Sequence, residues 1–225
     1  HSIYYRARLD DAKAGVGSEY RNTEQMRAEL KNLFDHGVRN PTMYQSFSDL
    51  ELLKKAMQLR QELGMNQGPL YYLGMPTTTA FLGSDPGEAG KLLRNIFPQL
   101  SGLARAYGFS SVYLYGKDEA RGAELLAQRD LWDVLHSIGG KVMVAGYTGS
   151  FELVGDRLDI LIHAYQPLST EAQKWHNAGH KIFSYANPQT GPENPFPYRF
   201  NYGLLLWANN YDGAMPYAYQ HCFGS

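Results

Sequence analysis

The sequence predicts a (β/α)₈ TIM barrel, an α/β fold, formed by a single domain over residues 1–225. Two observations lead to this prediction: β-rich runs recur at regular spacing, and helix-like patterns separate most of them. The chain is long enough for one such barrel and for a large buried core. A doubly wound open sheet is the competing fold, but no glycine-rich phosphate loop follows an early run.

The runs that predict strands are 3–8, 38–44, 69–74, 111–116, 141–147, 158–165, 181–187 and 213–219. Helical periodicity covers 23–34, 48–63, 87–107, 122–138, 170–178 and 198–209. Ser48 and Glu51 have the spacing of a capping box that opens the second helix, and Gly64 is placed to end it. The loop after the fifth strand is the one poor helix candidate.

Charge and composition restrict the partners of this chain. It has 21 basic and 22 acidic side chains and a formal net charge of −1, which gives no electrostatic reason to bind nucleic acid. No apolar run is long enough for membrane insertion. A carbohydrate substrate fits better, because the 17 Tyr and 3 Trp suit the faces and hydroxyls of sugars. Because the chain begins at His1, we expect a domain excised from a longer multidomain protein.

Two adjacent carboxylates, Asp118 and Glu119, follow the fourth predicted strand and precede a helix-like run. Active sites of parallel barrels lie at the C-terminal ends of the strands, so this position favours a catalytic acid and a charge stabiliser. The alternative is structural, with Asp118 as a helix N-cap and Glu119 in the first helical turn. The strand alternation lets both carboxylates face a cleft only if the chain bends after Gly116.

Few other carboxylates are placed for glycosidic chemistry. The seventh strand run has no Asp or Glu, Glu193 follows it in a Pro-rich loop, and Asp159 and Asp212 fall at the N-terminal ends of their strands. An adjacent pair cannot straddle a sugar ring, but it can serve substrate-assisted hydrolysis. Glu119 would then protonate the leaving oxygen and later activate water, while Asp118 would hold the N–H of the substrate's 2-acetamido group.

Polar and aromatic residues at the other strand ends are candidates for substrate binding. They are Arg6, Tyr147, His163, Tyr165, Tyr185, Asn187 and Tyr217, with Gln189 and Gln220 at the ends of the last two runs. The loop 75–83 after the third strand is long enough to form part of the cleft rim. The histidines show no close pair typical of a zinc site, and we predict no metal or cofactor.

The segments 115–120, 185–189, 199–207 and 211–220 resemble the catalytic barrel of glycoside hydrolase family 123. The resemblance is clearest from residue 112 to 220. It implies a β-N-acetylgalactosaminidase that works by the substrate-assisted route, with Asp118 and Glu119 matching the family's carboxylate pair. A tyrosine that bonds the acetamido carbonyl is expected in such sites, and Tyr147 or Tyr165 could supply it. The family also implies flanking β-sandwich domains and a secreted or periplasmic location.

Two other functions stay open at this point. One is a glycosidase of another specificity, with Glu119 as the acid and a separate carboxylate such as Asp10 or Glu193 as base or nucleophile. The other is a catalytically silent barrel that binds carbohydrate. The discriminating observation is whether the Asp118 and Glu119 carboxyl groups face an open cleft.

Overall fold

The computed structural model describes residues 1–17, 19–74, 86–187 and 193–219. The loop 75–83, Gln189 and Gln220 lie outside the described residues. The centre of the fold is a parallel sheet whose strands follow the chain order β3-β4-β5-β6-β7-β8. These strands are Leu70–Tyr72, Val112–Tyr115, Lys141–Gly146, Ile160–Ala164, Lys181–Tyr185 and Gly213–Ala214. A separate parallel pair joins β1, Arg8–Leu9, to β2, Tyr20–Arg21.

The predicted closed eight-stranded TIM barrel is therefore wrong. Within the described residues the main sheet has six strands, and the runs predicted at 3–8 and 38–44 do not complete a ring with it. The first run contributes only the start of β1 at Arg8. The second contributes a single bridge between Met43 and Tyr72. Unlike a doubly wound sheet, however, the six strands keep one sequential order with no switch point.

Local chemistry explains why the first two runs form no regular ladder. They make isolated bonds instead: Tyr4 N donates to the Pro216 carbonyl at 3.2 Å and Thr42 N to Ile3 at 3.0 Å. Proline has no N–H, so Pro41 and Pro216 cannot donate to a ladder. The N–H of Tyr5 donates to the Thr42 hydroxyl at 2.8 Å, in place of a backbone carbonyl.

The helices lie in chain order between and beside the strands. They are α1 Thr23–Asp35, α2 Leu50–Glu62, α3 Pro86–Ala106, α4 Gly122–Leu126, α5 Arg129–Ser137, α6 Ser150–Val154, α7 Ser169–Asn177, α8 Pro195–Arg199 and α9 Leu205–Ala208. A π-helical turn, Phe200–Leu204, joins α8 to α9. The predicted helix 122–138 is thus split into α4 and α5, and the loop after β5 does contain a short helix. The N-cap of α2 is Asp49 rather than Ser48, because the Asp49 side chain accepts from Leu52 N at 3.0 Å.

Burial on both faces explains why strands β4 to β7 are nearly continuous apolar runs. All five residues of β6 are buried, and only the first residue of β5 and of β7 is exposed. Such strands are typical of a parallel sheet covered by helices. Helix α3 supplies part of the cover through Leu93, Phe97, Leu100 and Ala104, whose spacing puts them on one helical face.

Asp159 and Asp212 are structural, as their N-terminal strand positions predict. The Asp159 carboxylate accepts from the backbone N–H of Val142 at 2.7 Å and lies 2.9 Å from His136 Nε2. Asp212 has an equivalent arrangement with Ile182 N at 2.9 Å and a histidine of α7. Each carboxylate thus fastens the start of a neighbouring strand to the preceding helix, at the edge opposite the strand ends that carry Asp118 and Glu119.

None of the helices in the described part of the chain has the length and apolar character needed to cross a membrane.

Candidate active site

A sharp bend after β4 carries Asp118 and Glu119. Gly116 fits there because a Cβ atom would lie 2.8 Å from the Gln128 side-chain oxygen. Ala145 on β5 holds both sides of the bend: its N–H donates to the Tyr115 hydroxyl at 3.2 Å, and its carbonyl accepts from Glu119 N at 3.1 Å. Backbone groups that would continue the ladder are therefore used to fix the turn.

The bend brings both carboxylates to one cavity of about 460 Å³. A cavity of this size is within the range of roughly 300–1,000 Å³ typical of small-molecule sites. Its lining consists of Tyr4, Tyr44, Tyr115, Asp118, Glu119, Tyr185, Ala186, Asn187, Tyr202 and Tyr217. Among the described residues, Asp118 and Glu119 are the only carboxylates in this lining. The alternative of a helix N-cap at Asp118 does not hold, because the N-cap of α4 is Arg121.

Asp118 is held by a chain of tyrosine hydroxyls. The Tyr115 hydroxyl donates to Asp118 Oδ1 at 2.7 Å, and the Tyr4 and Tyr115 hydroxyl oxygens are 2.7 Å apart. Because the Tyr115 proton goes to Asp118, Tyr4 must be the donor of that second bond. No hydrogen bond to Asp118 Oδ2 is formed by the described residues. This oxygen is the one available to a ligand.

Glu119 accepts from two tyrosines near the cavity rim. The Tyr147 hydroxyl donates to Oε2 at 2.6 Å, and the Tyr185 hydroxyl donates to Oε1. The Arg121 guanidinium stacks 3.6 Å from the centre of the Tyr147 ring. Each oxygen of Glu119 thus accepts a hydrogen bond from a tyrosine hydroxyl.

The two carboxyl groups have pKa values shifted in opposite directions. The protein around Asp118 desolvates its carboxyl group and raises its pKa; the bond from Tyr115 opposes this rise, and the charge of Glu119 adds to it. The bonds from Tyr147 and then Tyr185 lower the pKa of Glu119. These shifts favour the protonated form of Asp118 and the ionised form of Glu119. This pattern is the reverse of the one needed if Glu119 is to act as an acid.

Three residues at neighbouring strand ends have left-handed backbone conformations. The φ angles are 53° at Glu119, 71° at Tyr165 and 51° at Ala186. Such conformations in non-glycine residues cost on the order of 1–3 kcal/mol each and cluster at functional sites. Glu119 and Ala186 line the cavity, and the Tyr165 N–H is tied to the Tyr185 carbonyl at 3.1 Å.

The structure brings several of the predicted binding residues together. Tyr185, Asn187 and Tyr217 line the cavity with the carboxylate pair. Arg6 donates to the Tyr217 hydroxyl at 2.8 Å and lies 5.9 Å from the centre of the Tyr44 ring, behind that wall.

The other predicted binding residues lie elsewhere. Tyr147 and Tyr165 are outside the cavity, beyond Glu119. His163 is buried, and its two ring nitrogens lie 3.0 Å from the Thr148 hydroxyl and 2.9 Å from the Tyr211 hydroxyl. Burial also lowers the pKa of His163. Both ring nitrogens of His163 thus have hydrogen-bond partners within the protein, and His163 is not part of the cavity lining.

Tyr4, Tyr115 and Tyr202 are among the cavity residues that the sequence-based prediction does not include. Strand alternation gave a signal for Tyr4, which shares the parity of Arg6 in the first run. Tyr115 lies only three residues before Asp118, but their contact depends on the bend between them. Tyr202 accepts from Asn187 N at 3.1 Å and donates to the Asn187 carbonyl at 2.9 Å, which fixes the backbone at the end of β7.

We expect Tyr115→Phe to raise the pKa of Asp118, because it removes the bond that favours the ionised carboxylate. Titration of the Asp118 carboxyl carbon by ¹³C NMR measures this change directly. Tyr44→Phe is the matched control, since Tyr44 lines the same cavity without a described hydrogen bond to Asp118. An unchanged pKa in Tyr115→Phe would show that Tyr115 does not control the protonation of this carboxylate.

No three His, Cys, Asp or Glu side chains in the described part of the chain are grouped so that they could hold a metal ion.

Comparison with known proteins gives a fold but no family. No protein-family model matches the chain, and no curated protein matches it. A solved structure described as a putative alpha-L-fucosidase from Bacteroides thetaiotaomicron superposes with a TM-score of 0.59 and is 11% identical. The match covers 97% of this chain and 88% of that one. At this identity the likeness shows a shared fold alone, and the predicted membership of family 123 has no support from these comparisons.

Proposed function

We propose that this protein is a glycoside hydrolase that acts on sugars with a 2-acetamido group, N-acetylgalactosaminides being favoured. The observation that carries the proposal is the adjacent pair Asp118–Glu119, both of whose carboxylates face one tyrosine-lined cavity. The fold shared with a protein described as a fucosidase supports the reaction class. The preference for an acetamido sugar rests on the carboxylate pair and on the sequence resemblance.

The reaction follows the substrate-assisted route. The carbonyl oxygen of the acetamido group attacks the anomeric carbon while the bond to the leaving oxygen breaks and Glu119 gives that oxygen a proton. Asp118 accepts the acetamido N–H through Oδ2 and stabilises the positive charge of the oxazolinium intermediate. Water then opens this intermediate, Glu119 takes its proton, and the anomeric configuration is retained.

Substrate binding reconciles this reaction with the opposite pKa shifts of the two carboxyl groups. An acetamido N–H at Asp118 Oδ2 is a donor and favours the ionised form of Asp118. A leaving oxygen at Glu119 is an acceptor and favours the protonated form of Glu119. Substrate binding therefore lowers the pKa of Asp118 and raises the pKa of Glu119, as this reaction requires.

Dependence on the acetamido group is the test of this function. We expect para-nitrophenyl β-N-acetylgalactosaminide to be hydrolysed about 10²-fold faster or more than the plain β-galactoside, because only the former carries its own nucleophile. Initial rates on both, on the glucose-series counterparts and on the α-L-fucoside measure it. Robust turnover of a plain glycoside with a sugar trapped on an Asp or Glu side chain would contradict the mechanism. Sugar binding without turnover of any glycoside would favour the silent binding module.

A further inference from the structure

Tyr165 is the exposed aromatic residue closest in the chain to the C-terminal end of β6. Its side chain is 61% exposed, and its backbone has the left-handed φ of 71°. A bulky residue rarely adopts this conformation. The bond from its N–H to the Tyr185 carbonyl, 3.1 Å long, fixes the backbone that presents the ring.

Tyr165, Tyr147 and the Arg121 guanidinium form a row of planar groups. Its ring centre lies 5.9 Å from that of Tyr147, with 35° between the ring planes. Arg121 lies 3.6 Å from the centre of the Tyr147 ring. The Tyr147 hydroxyl bonds Glu119 at 2.6 Å, so the row begins at the carboxylate that faces the cavity.

This row lies on the outer side of Glu119. Asp118 lines the cavity together with the buried Tyr4 and Tyr115, whereas Tyr147 and Tyr165 are not part of its lining. Under the proposed function the sugar that is cleaved occupies the cavity, and Glu119 marks the bond that breaks. The group on the leaving side of that bond must therefore extend toward Tyr147 and Tyr165.

We propose that Tyr165 and Tyr147 form a binding subsite for a pyranose ring on the leaving side of the scissile bond. This inference rests on the proposed function, which places that bond at Glu119. The C–H face of a pyranose is apolar and packs on an aromatic ring, while its rim of hydroxyls needs polar partners. The Arg121 guanidinium, which stacks on the Tyr147 ring, supplies N–H donors for such hydroxyls.

Binding of two ligands that resist hydrolysis tests the subsite. One is methyl 1-thio-β-N-acetylgalactosaminide, which fills the cavity alone, and the other is an S-linked disaccharide in which galactose replaces the methyl group. In Tyr165→Ala we expect the Kd of the disaccharide to rise about 5–10-fold, while the Kd of the methyl thioglycoside changes less than about twofold. Tyr165→Phe keeps the ring and is the matched control, in which both affinities should be retained.

Calorimetric titration of the wild-type protein and both variants gives these constants, and a thermal melt confirms that the variants are folded. Equal weakening of both ligands, or of neither, in Tyr165→Ala overturns the subsite. If the wild-type protein binds neither ligand, the proposed substrate class fails together with the subsite. Turnover of para-nitrophenyl β-N-acetylgalactosaminide by the same protein samples separates the two proposals. If Tyr165 strengthens binding of the S-linked disaccharide but this glycoside is not hydrolysed, Tyr165 remains a sugar-binding residue and the enzyme is rejected.

Discussion

Asp118→Asn is expected to reduce kcat on 2-acetamido substrates by about 10²–10³-fold, the loss seen when one stabilising group is removed from a transition state. Asparagine still offers an oxygen to the acetamido N–H but has no negative charge to stabilise the oxazolinium. Initial rates on the acetamido substrate and on the plain galactoside measure the effect, which should be confined to the former.

Asp10→Asn is the matched control for this variant. Asp10 is likewise a hydrogen-bonded aspartate, with the backbone N–H groups of Ala12 and Lys13 as donors, but it does not line the cavity. The same chemical change at Asp10 should leave hydrolysis unaffected. A large loss of activity in Asp10→Asn, with little in Asp118→Asn, would support the alternative in which a separate carboxylate serves as base or nucleophile.

Strand positions β3 to β8 could be predicted from the sequence because burial on both faces requires continuous apolar residues. That the described strands do not close into a ring could not be predicted. Residues 3–8 and 38–44 have strand composition, but composition does not reveal that Pro41 and Pro216 interrupt the ladder or that the Thr42 hydroxyl replaces a carbonyl. Regular spacing along the chain predicts the order of the strands better than it predicts which of their edges pair.

The location of the carboxylate pair could also be predicted from the sequence, since it depends only on where β4 ends. The pKa shifts of the pair could not be predicted. The shift of Glu119 depends on Tyr147 and Tyr185 from distant segments, and the shift of Asp118 depends first on desolvation by the surrounding protein. His163 shows the same limit. Its position near the end of β6 predicts a place in the substrate site, but its ring nitrogens are hydrogen-bonded to the hydroxyls of Tyr211 and Thr148.

Glu119→Gln should show the largest effect, and its size should depend on the leaving group. For a sugar or methyl leaving group, which needs a proton, we expect kcat/KM to fall by about 10²–10⁴-fold. For a dinitrophenyl leaving group, which departs without one, the first step should be nearly normal. The fall in kcat as pH rises through the pKa of Glu119 in the substrate complex should disappear, since glutamine has no proton to lose.

Azide provides the sharper part of this test. Glutamine cannot deprotonate water in the second step, but azide needs no base, so azide should accelerate the variant on the dinitrophenyl substrate and give the β-glycosyl azide with retained configuration. Glu193→Gln is the matched control, because Glu193 does not line the cavity and should tolerate the change. An α-azide, or equal losses on good and poor leaving groups, would show that Glu119 is not the acid and base of a retaining reaction. A β-azide would instead support Glu119, held by its two tyrosine bonds, as the acid and base of a retaining reaction.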